Sequence, residues 1–253
     1  MVKFFFAIIL ALALFFGYGV YKEYLPKESV ENFEKNASEK LNPDNIPVDI
    51  KKVTRLFYLE EELAQKKAAP NWVSLEQIPL FMQQAIISVE DRRFYEHGAF
   101  DASAIMRAIL VNIQSGEIVE GGSTITQQLA KNLFLNNEQT LARKAEEALY
   151  GVIIEHRLSK EEILEAYLNT IYFGAGAYGI KEASETYFAK QPAQLTLAES
   201  SMLAGLPASP SVYSPKSNPD LAKERQAVVL ETMVKNGFIG PQKAKEVLAE
   251  KIF

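Results

Sequence analysis

The distribution of apolar positions divides the chain into three stretches. Residues 4–20 run for 17 positions without a charge, and Lys3 and Lys22 bracket them. That length sits at the lower end of what spans a hydrocarbon core, and Tyr18 and Tyr21 suit the headgroup level. A cleavable signal peptide is the competing reading, but the run ends Gly17-Tyr18-Gly19-Val20-Tyr21-Lys22 with no Ala-x-Ala pattern. Residues 1–21 are therefore read as an uncleaved transmembrane signal-anchor. Residues 22–50 mix Lys and Glu, carry Pro26, Pro43 and Pro47, and show only a sparse apolar stripe. They read as a tether that lifts the following domain off the membrane.

From residue 51 onward the period is mostly 3.6. A strand-like piece at 53–59 is the exception. Ser74-x-x-Gln77 has the form of a capping box, and Ile78, Phe81, Met82, Ala85, Ile86 and Val89 then share one helical face. Further helices are expected at 104–113, after Thr124-x-x-Gln127, over 141–158, and after Ser159-x-x-Glu162. In the 141–158 helix the core stripe is read as Leu141, Ala145, Ala148, Leu149 and Val152, with Arg143, Glu147 and Gly151 on the far side. Gly174, Gly176 and Gly179 interrupt the pattern, and helices resume at 195–206, 220–236 and 241–249. No run of alternating positions supports a substantial sheet, so the fold class is all-α.

Composition narrows the chemistry. The chain has 253 residues, 27 Lys+Arg against 32 Asp+Glu, a net charge of −5 and no cysteine. A disulfide framework, thiolate zinc sites and a thiol nucleophile are excluded, and the acidic balance argues against general nucleic-acid binding. Neither His97 nor His156 has partners spaced for zinc, and no Gly-x-Ser-x-Gly elbow exists. His97 suits a turn-orienting hydrogen bond, and His156 suits the C-terminal end of a helix dipole.

Three places could carry chemistry. Glu90 ends an apolar helix. Desolvation and the helix C-terminus would both raise its pKa toward that of a usable base or acid, but a solvated Glu-Asp-Arg-Arg turn is equally open. Gly121-Gly122-Ser123-Thr124 feeds a helix whose Thr124, Gln127, Gln128 and Lys131 share a polar stripe opposite Ile125, Leu129 and Leu133. Amide N–H groups at such a start could hold an anion; an ordinary solvated face is the plain alternative. Glu147 beside Arg143 is either an i,i+4 pair or a second site carboxylate held ionised by cations. Gly151, costly in mid-helix by about 1 kcal/mol, points to close packing.

Taken together, these segments resemble the peptidoglycan glycosyltransferase domain, glycosyltransferase family 51, of class A penicillin-binding proteins and monofunctional transglycosylases. The resemblance spans residues 72–240 as five ordered motifs. The first is Glu90-Asp91-Arg92-Arg93-Phe94-Tyr95-Glu96-His97, and the second runs from Gly121 to Asn132. The third is Arg143-Lys144-Ala145-Glu146-Glu147. The fourth joins Arg157-Leu158-Ser159-Lys160 to Ile163-Leu164-Glu165-Ala166-Tyr167-Leu168-Asn169. The fifth pairs Leu197-Ala198-Glu199 with Leu203-Ala204-Gly205-Leu206-Pro207.

The resemblance implies a lysozyme-like helical domain over 51–253, with a smaller, apolar, membrane-proximal lobe around 100–120. It implies polymerisation of lipid II with inversion and release of undecaprenyl diphosphate. Glu90 would be the general base and Glu147 the second catalytic glutamate near the diphosphate. Lys131, Arg143 and Lys144 would neutralise that group, and Ser123, Thr124, Gln127 and Gln128 would position sugar and phosphate oxygens. Asp91, Phe94, His97 and Asn169 would support the site. No organic cofactor is implied, and a divalent cation (Mg or Mn) is allowed at the diphosphate through Glu147. Partners would be lipid II, the lipid-linked glycan strand, the cytoplasmic membrane and a cell-wall synthesis complex, with the N-terminus cytoplasmic and the domain outside.

Two positions depart from the family pattern: Ala99 stands where Gly is usual, and Gln139 where Arg is usual. Ser-x-x-Lys and Lys-Thr-Gly, the marks of a transpeptidase, do not occur, so the chain is expected to carry the transferase alone. A lytic transglycosylase acting on existing strands and an inactive membrane-anchored scaffold are the competing functions.

Overall fold

A computed structural model describes residues 59–116, 121–135 and 141–252. The expected anchor and tether, positions 53–58 of the strand-like piece, and Gln139 lie outside the described residues. Among the described residues, no helix is long and apolar enough to cross a membrane.

The structure is mostly helical. Its helices are α1 (Leu59–Lys67), α2 (Leu80–Glu90), α3 (Ala102–Ser115), α4 (Ile125–Phe134), α5 (Leu141–Arg157), α6 (Lys160–Thr170), α7 (Gly179–Phe188), α8 (Leu197–Gly205), α9 (Pro219–Lys235) and α10 (Pro241–Ala249). Local signals start several of them. Thr124, Ser159 and Thr196 each accept from the third helical amide while Gln127, Glu162 and Glu199 reach back to the cap, forming three full capping boxes. Ser74 does not behave that way. It precedes only a 3₁₀ turn, Leu75–Gln77, and caps nothing with its side chain. The helix behind it starts only at Leu80, after Pro79, whose ring pre-sets φ and donates no N–H.

Two helix groups make the core. The first packs α8 and α9 against α2, and the second packs α4 against α5 and α6. Helix α8 is buried along its whole length from Ala198 to Gly205, as expected for the central helix of a stack. At its end, a Cβ on Gly205 would lie 2.8 Å from Arg225 Cγ, so glycine lets α9 approach.

The glycine cluster after α6 folds as a small antiparallel hairpin, β1 (Tyr172–Gly174) and β2 (Ala177–Tyr178), with Tyr172 opposite Tyr178. The tight turn requires positive φ at Gly174, Ala175 and Gly176. Gly179 has φ +82°, and a Cβ there would sit 2.5 Å from Asn169 O, so only glycine fits.

Helix α5 corrects the expected facing. Of the expected core stripe, Ala145 is buried but Ala148, Leu149 and Val152 are only half-buried; the buried side also takes in Glu146, Glu147, Tyr150, Gly151 and Ile154. A charge at Glu147 reads as solvent-facing in sequence; pairing with two cations is what permits its burial. Gly151 faces α4, where an added Cβ would meet Gln127 Cγ at 3.5 Å and Ala99 Cβ at 3.6 Å.

Candidate active site

A cleft of about 950 Å³ opens between the two helix groups. Its lining includes Glu90 from the end of α2, Ser123 from the loop before α4, and Gln128 and Lys131 from α4. Arg143, Lys144 and Glu147 enter from α5, and Asn169 from the end of α6. Side chains spread over 79 positions of sequence, from Glu90 to Asn169, thus meet around one space.

At one end, Glu90 keeps a window onto the cleft while protein encloses most of its carboxylate. Loss of hydration raises its pKa above the ordinary carboxylate value; a hydrogen bond from Gln128 and the charge of Arg225 oppose that rise, and the charge of Asp91 adds to it. The bond from Gln128 Nε2 to Glu90 Oε2 is 2.8 Å long. On its other side, Gln128 Oε1 accepts from the hydroxyl of Tyr167 at 3.0 Å.

At the other end, Glu147 is buried between two cations. Arg143 Nη1 donates to its Oε2 at 3.1 Å, and Lys144 Nζ bonds its Oε1. Lys144 Nζ also donates to Ser123 Oγ at 2.8 Å. Lys131 lines the same cleft, one and two turns from the groups that contact Glu90 and the helix start.

The remaining expected residues stand behind the lining. Thr124 and Gln127 do not reach the cleft, because both are buried and engaged in the α4 capping box. Thr124 Oγ1 also donates to Ala99 O at 2.9 Å. The start of α4 is not an open anion site either. Asp91 Oδ2 accepts from Ile125 N at 3.0 Å, and the amides of Thr124 and Gln127 bond within the capping box. The chain's own carboxylate thus occupies the place an external anion would take. His97 Nε2 lies 2.7 Å from Asp91 Oδ1, which ties the turn after α2 to the start of α4.

Phe94 is fully buried, with Lys160 Nζ 4.5 Å above its ring. Asn169 both lines the cleft and braces it, bonding the N–H and C=O of Val73 at 2.8 Å each. Ala99 fills the glycine position without strain: neither Gly98 nor Ala99 has positive φ, so the turn makes no demand for glycine.

Several further residues line the cleft without a strong mark in the sequence. Tyr172 and Tyr178 are exposed in the cleft with ring centroids 4.7 Å apart. Trp72 lines it as well and donates from Nε1 to Glu165 at 3.0 Å. The flanking of a glycine cluster by two tyrosines was the available signal; nothing local marks Trp72. Arg225, on α9, acts on Glu90 only through space.

The residues do not fit a divalent cation at Glu147. Both of its oxygens already face ammonium or guanidinium groups, which is the reverse of the all-oxygen donor set such an ion takes. Asp91, His97 and Asp101 bring ligand atoms within 4.8 Å of one another. Those atoms are engaged by each other, by Ile125 N, by Ala104 N and by Arg93, whose Nε donates to Asp101 Oδ2 at 3.1 Å.

A desolvated carboxylate and a group of cations thus line one open helical cleft, an arrangement that can combine proton transfer with the binding of an anionic group. The family model described as Transglycosylase matches residues 58–234, and the chain belongs to that family. It is 46% identical over 177 residues to penicillin-binding protein 1A of Aquifex aeolicus, covering 70% of this chain and 24% of the relative. It is 47% identical over 172 residues to penicillin-binding protein 1F of Bacillus subtilis, covering 68% and 24%. With penicillin-binding protein 1A of Escherichia coli it shares 46% over 191 residues, covering 76% and 22%. The chain therefore spans about a quarter of the length of these relatives. Among solved structures, it is similar to penicillin-binding protein 1A from Haemophilus influenzae, with a TM-score of 0.44, 24% identity, and coverage of 72% of this chain and 17% of that one.

Proposed function

We propose that this chain is a peptidoglycan glycosyltransferase that polymerises lipid II into glycan strands with inversion at the anomeric carbon. The observation that carries the reading is the pairing, in one cleft, of Glu90 with its raised pKa and the cationic group Lys131, Arg143 and Lys144. Membership of the transglycosylase family supports it.

The acceptor's 4-hydroxyl attacks the anomeric carbon of the lipid-linked donor. Glu90 takes the hydroxyl proton as the new C–O bond forms, a role that its raised basicity suits. The bond from the anomeric carbon to the diphosphate oxygen breaks, and its electron pair leaves with undecaprenyl diphosphate. Lys131, Arg143 and Lys144 meet the charge that develops there, inside a cleft of reduced dielectric. Glu147 holds Arg143 and Lys144 in place for that task. Ser123 and Gln128 contact substrate oxygens from the cleft wall, while Asp91, Phe94, His97 and Asn169 hold the loops that present these groups.

The same cation wall weighs against cleavage of existing strands, where no diphosphate leaves. An inactive scaffold would have no use for a desolvated carboxylate aimed at that wall. We further read the domain as lysozyme-like, α3 as part of its smaller apolar lobe near the membrane, and residues 1–21 as a single-pass anchor. The N-terminus would face the cytoplasm and the domain the outer side of the cytoplasmic membrane, where lipid II, the nascent strand and other cell-wall enzymes would be its partners.

The test is polymerisation of lipid II, followed on a gel. The wild-type chain makes strands, and Glu90→Gln loses about 10³-fold or more in rate with its helical content intact. Full polymerisation by that variant would overturn the assignment of Glu90. Release of soluble muropeptides from purified sacculi would move the reading to cleavage.

A further inference from the structure

We infer that Tyr167 is a positioning residue for Glu90, acting through the side-chain amide of Gln128. This rests on the reading of Glu90 as the general base and adds a residue to that machinery. Tyr167 lies on α6, fully buried, 39 positions from Gln128 and 77 from Glu90. It does not line the cleft and touches no substrate.

The argument begins with the amide. A Gln side chain has one face that donates and one that accepts. Either could point at Glu90, and the two orientations have opposite effects. With Nε2 toward the carboxylate, the amide stabilises the ionised base. With Oε1 toward it, two acceptors oppose one another and the ionised form is disfavoured. The structure has Nε2 at 2.8 Å from Glu90 Oε2 and the Tyr167 hydroxyl donating to Oε1 at 3.0 Å.

The phenol is what selects this orientation. It is a donor held in a dry site, its own pKa driven well up by burial and by the charges of Glu90 and Asp91, so it keeps its proton throughout the working pH range. Satisfying that O–H in the core requires Oε1 on the Tyr167 side. The donating edge of Gln128 is thereby turned to Glu90, against the desolvation that pushes the carboxyl toward its neutral form.

Other charges act on Glu90 from Arg225 on α9 and from Asp91 beside it, and Lys66, Lys131, Arg143, Lys144 and Glu147 line the same cleft. Substitution at Tyr167 changes none of these charges, so the relay can be tested without altering that field.

Tyr167→Phe keeps the ring in its packing and removes only the hydroxyl. The direct readout is the ionisation of Glu90, followed by the carboxyl ¹³C resonance in the labelled full chain and assigned by its loss in Glu90→Gln. We expect the Glu90 midpoint in Tyr167→Phe to rise by about half to one pH unit. The acid limb of the lipid II polymerisation rate should move up with it, while the rate well above the limb changes less. Gln128→Met, which removes the amide, should raise the midpoint at least as far. Adding Tyr167→Phe to Gln128→Met should raise it no further, because the hydroxyl acts only through the amide.

A Glu90 midpoint unchanged in Tyr167→Phe overturns the proposal, as does a double variant whose shift is the sum of the two singles. A uniform loss of rate at every pH with no shift in midpoint likewise reduces Tyr167 to a packing residue and overturns it. If Tyr167→Phe does not fold, an unmoved midpoint in Gln128→Met overturns the relay by itself. The carboxyl titration decides the relay even if Glu90→Gln retains polymerisation, a result that would instead remove Glu90 from the role of base.

Discussion

The two glutamates of the cleft occupy opposite electrostatic settings. Glu90 sits at the end of an apolar helix with a neutral amide as its bonded partner, and desolvation raises its pKa. Glu147 is more deeply buried, at 3% exposure, yet stands between Arg143 and Lys144. Burial alone therefore does not decide what a carboxylate is for. Burial with a neutral partner makes a base; burial between cations makes a counter-ion that fixes those cations in place.

Substitution should separate the two. The largest effect belongs to Glu90→Gln, whose loss of polymerisation should come with a gain in stability at neutral pH. The sign follows from the raised pKa: stability linked to Glu90 is fully present below the ordinary carboxylate value and is lost as pH rises through its folded value. Glu90→Gln removes that loss, so the difference in melting temperature between variant and wild type should widen from pH 4 toward pH 7. A variant less stable than wild type at pH 7 would show Glu90 to be a structural ion instead.

Glu147→Gln should do the reverse. It leaves Arg143 and Lys144 beside a neutral group, costing about 1–3 kcal/mol in denaturant unfolding, the lower part of the range because Lys144 is half-exposed. Activity should fall about 10- to 100-fold as the cations lose their placement. A drop matching that of Glu90→Gln with no loss of stability would erase the distinction between the two carboxylates.

Asp101 offers a control outside the cleft. Its hydrogen bonds from Arg93 and from Ala104 N hold its pKa down at about 2. That stability is present above the ordinary carboxylate value and is lost as pH falls through about 2, the opposite slope to Glu90. Asp101→Ala removes both the cap of α3 and the Arg93 pair and should cost about 2 kcal/mol at pH 7, and less at pH 2. Equal costs at the two pH values would count against the ionic part of the interaction.

Gly151→Ala should have the smallest effect. Its new methyl would meet Gln127 and Ala99 at ordinary contact distance, so α5 should gain about 0.5–1 kcal/mol with polymerisation little changed. A marked loss of rate would reveal that the spacing of α4 and α5 is under tighter control than the contacts indicate.

Most of the helices and the acidic helix end at Glu90 were legible in the sequence, but α1, whose Leu59 read as strand-like, and α7, which starts at Gly179 of the glycine cluster, were not. Two of the three expected capping boxes form as drawn, at Thr124 and Ser159, and the third fails because Pro79 sets a different start; the box at Thr196 was not expected. The facing of α5 was not legible. Its buried stripe contains Glu147, and a hydrophobicity pattern assigns any glutamate to solvent. Helix α3 shows the converse. It is as apolar as a core helix, yet Ala108 is its one buried residue while Ile105, Leu110 and Ile113 are exposed. Thr124 and Gln127 share the polar stripe with Gln128 and Lys131; the capping signature marks the first pair, but that only the last two line the cleft is decided by tertiary packing.

What the sequence by itself settles about this protein is what neighbours within one helical turn decide: where most of the helices begin and which residue types are present to do chemistry. Bonds between a cap and its third amide form or fail locally, so they can be read locally. Only the tertiary structure decides that Glu90 faces Gln128, that Gln128 faces Tyr167, and that Glu147 is buried between cations. A carboxylate's basicity depends on which water it loses and which donors replace it, and both are set by side chains brought together from distant parts of the chain.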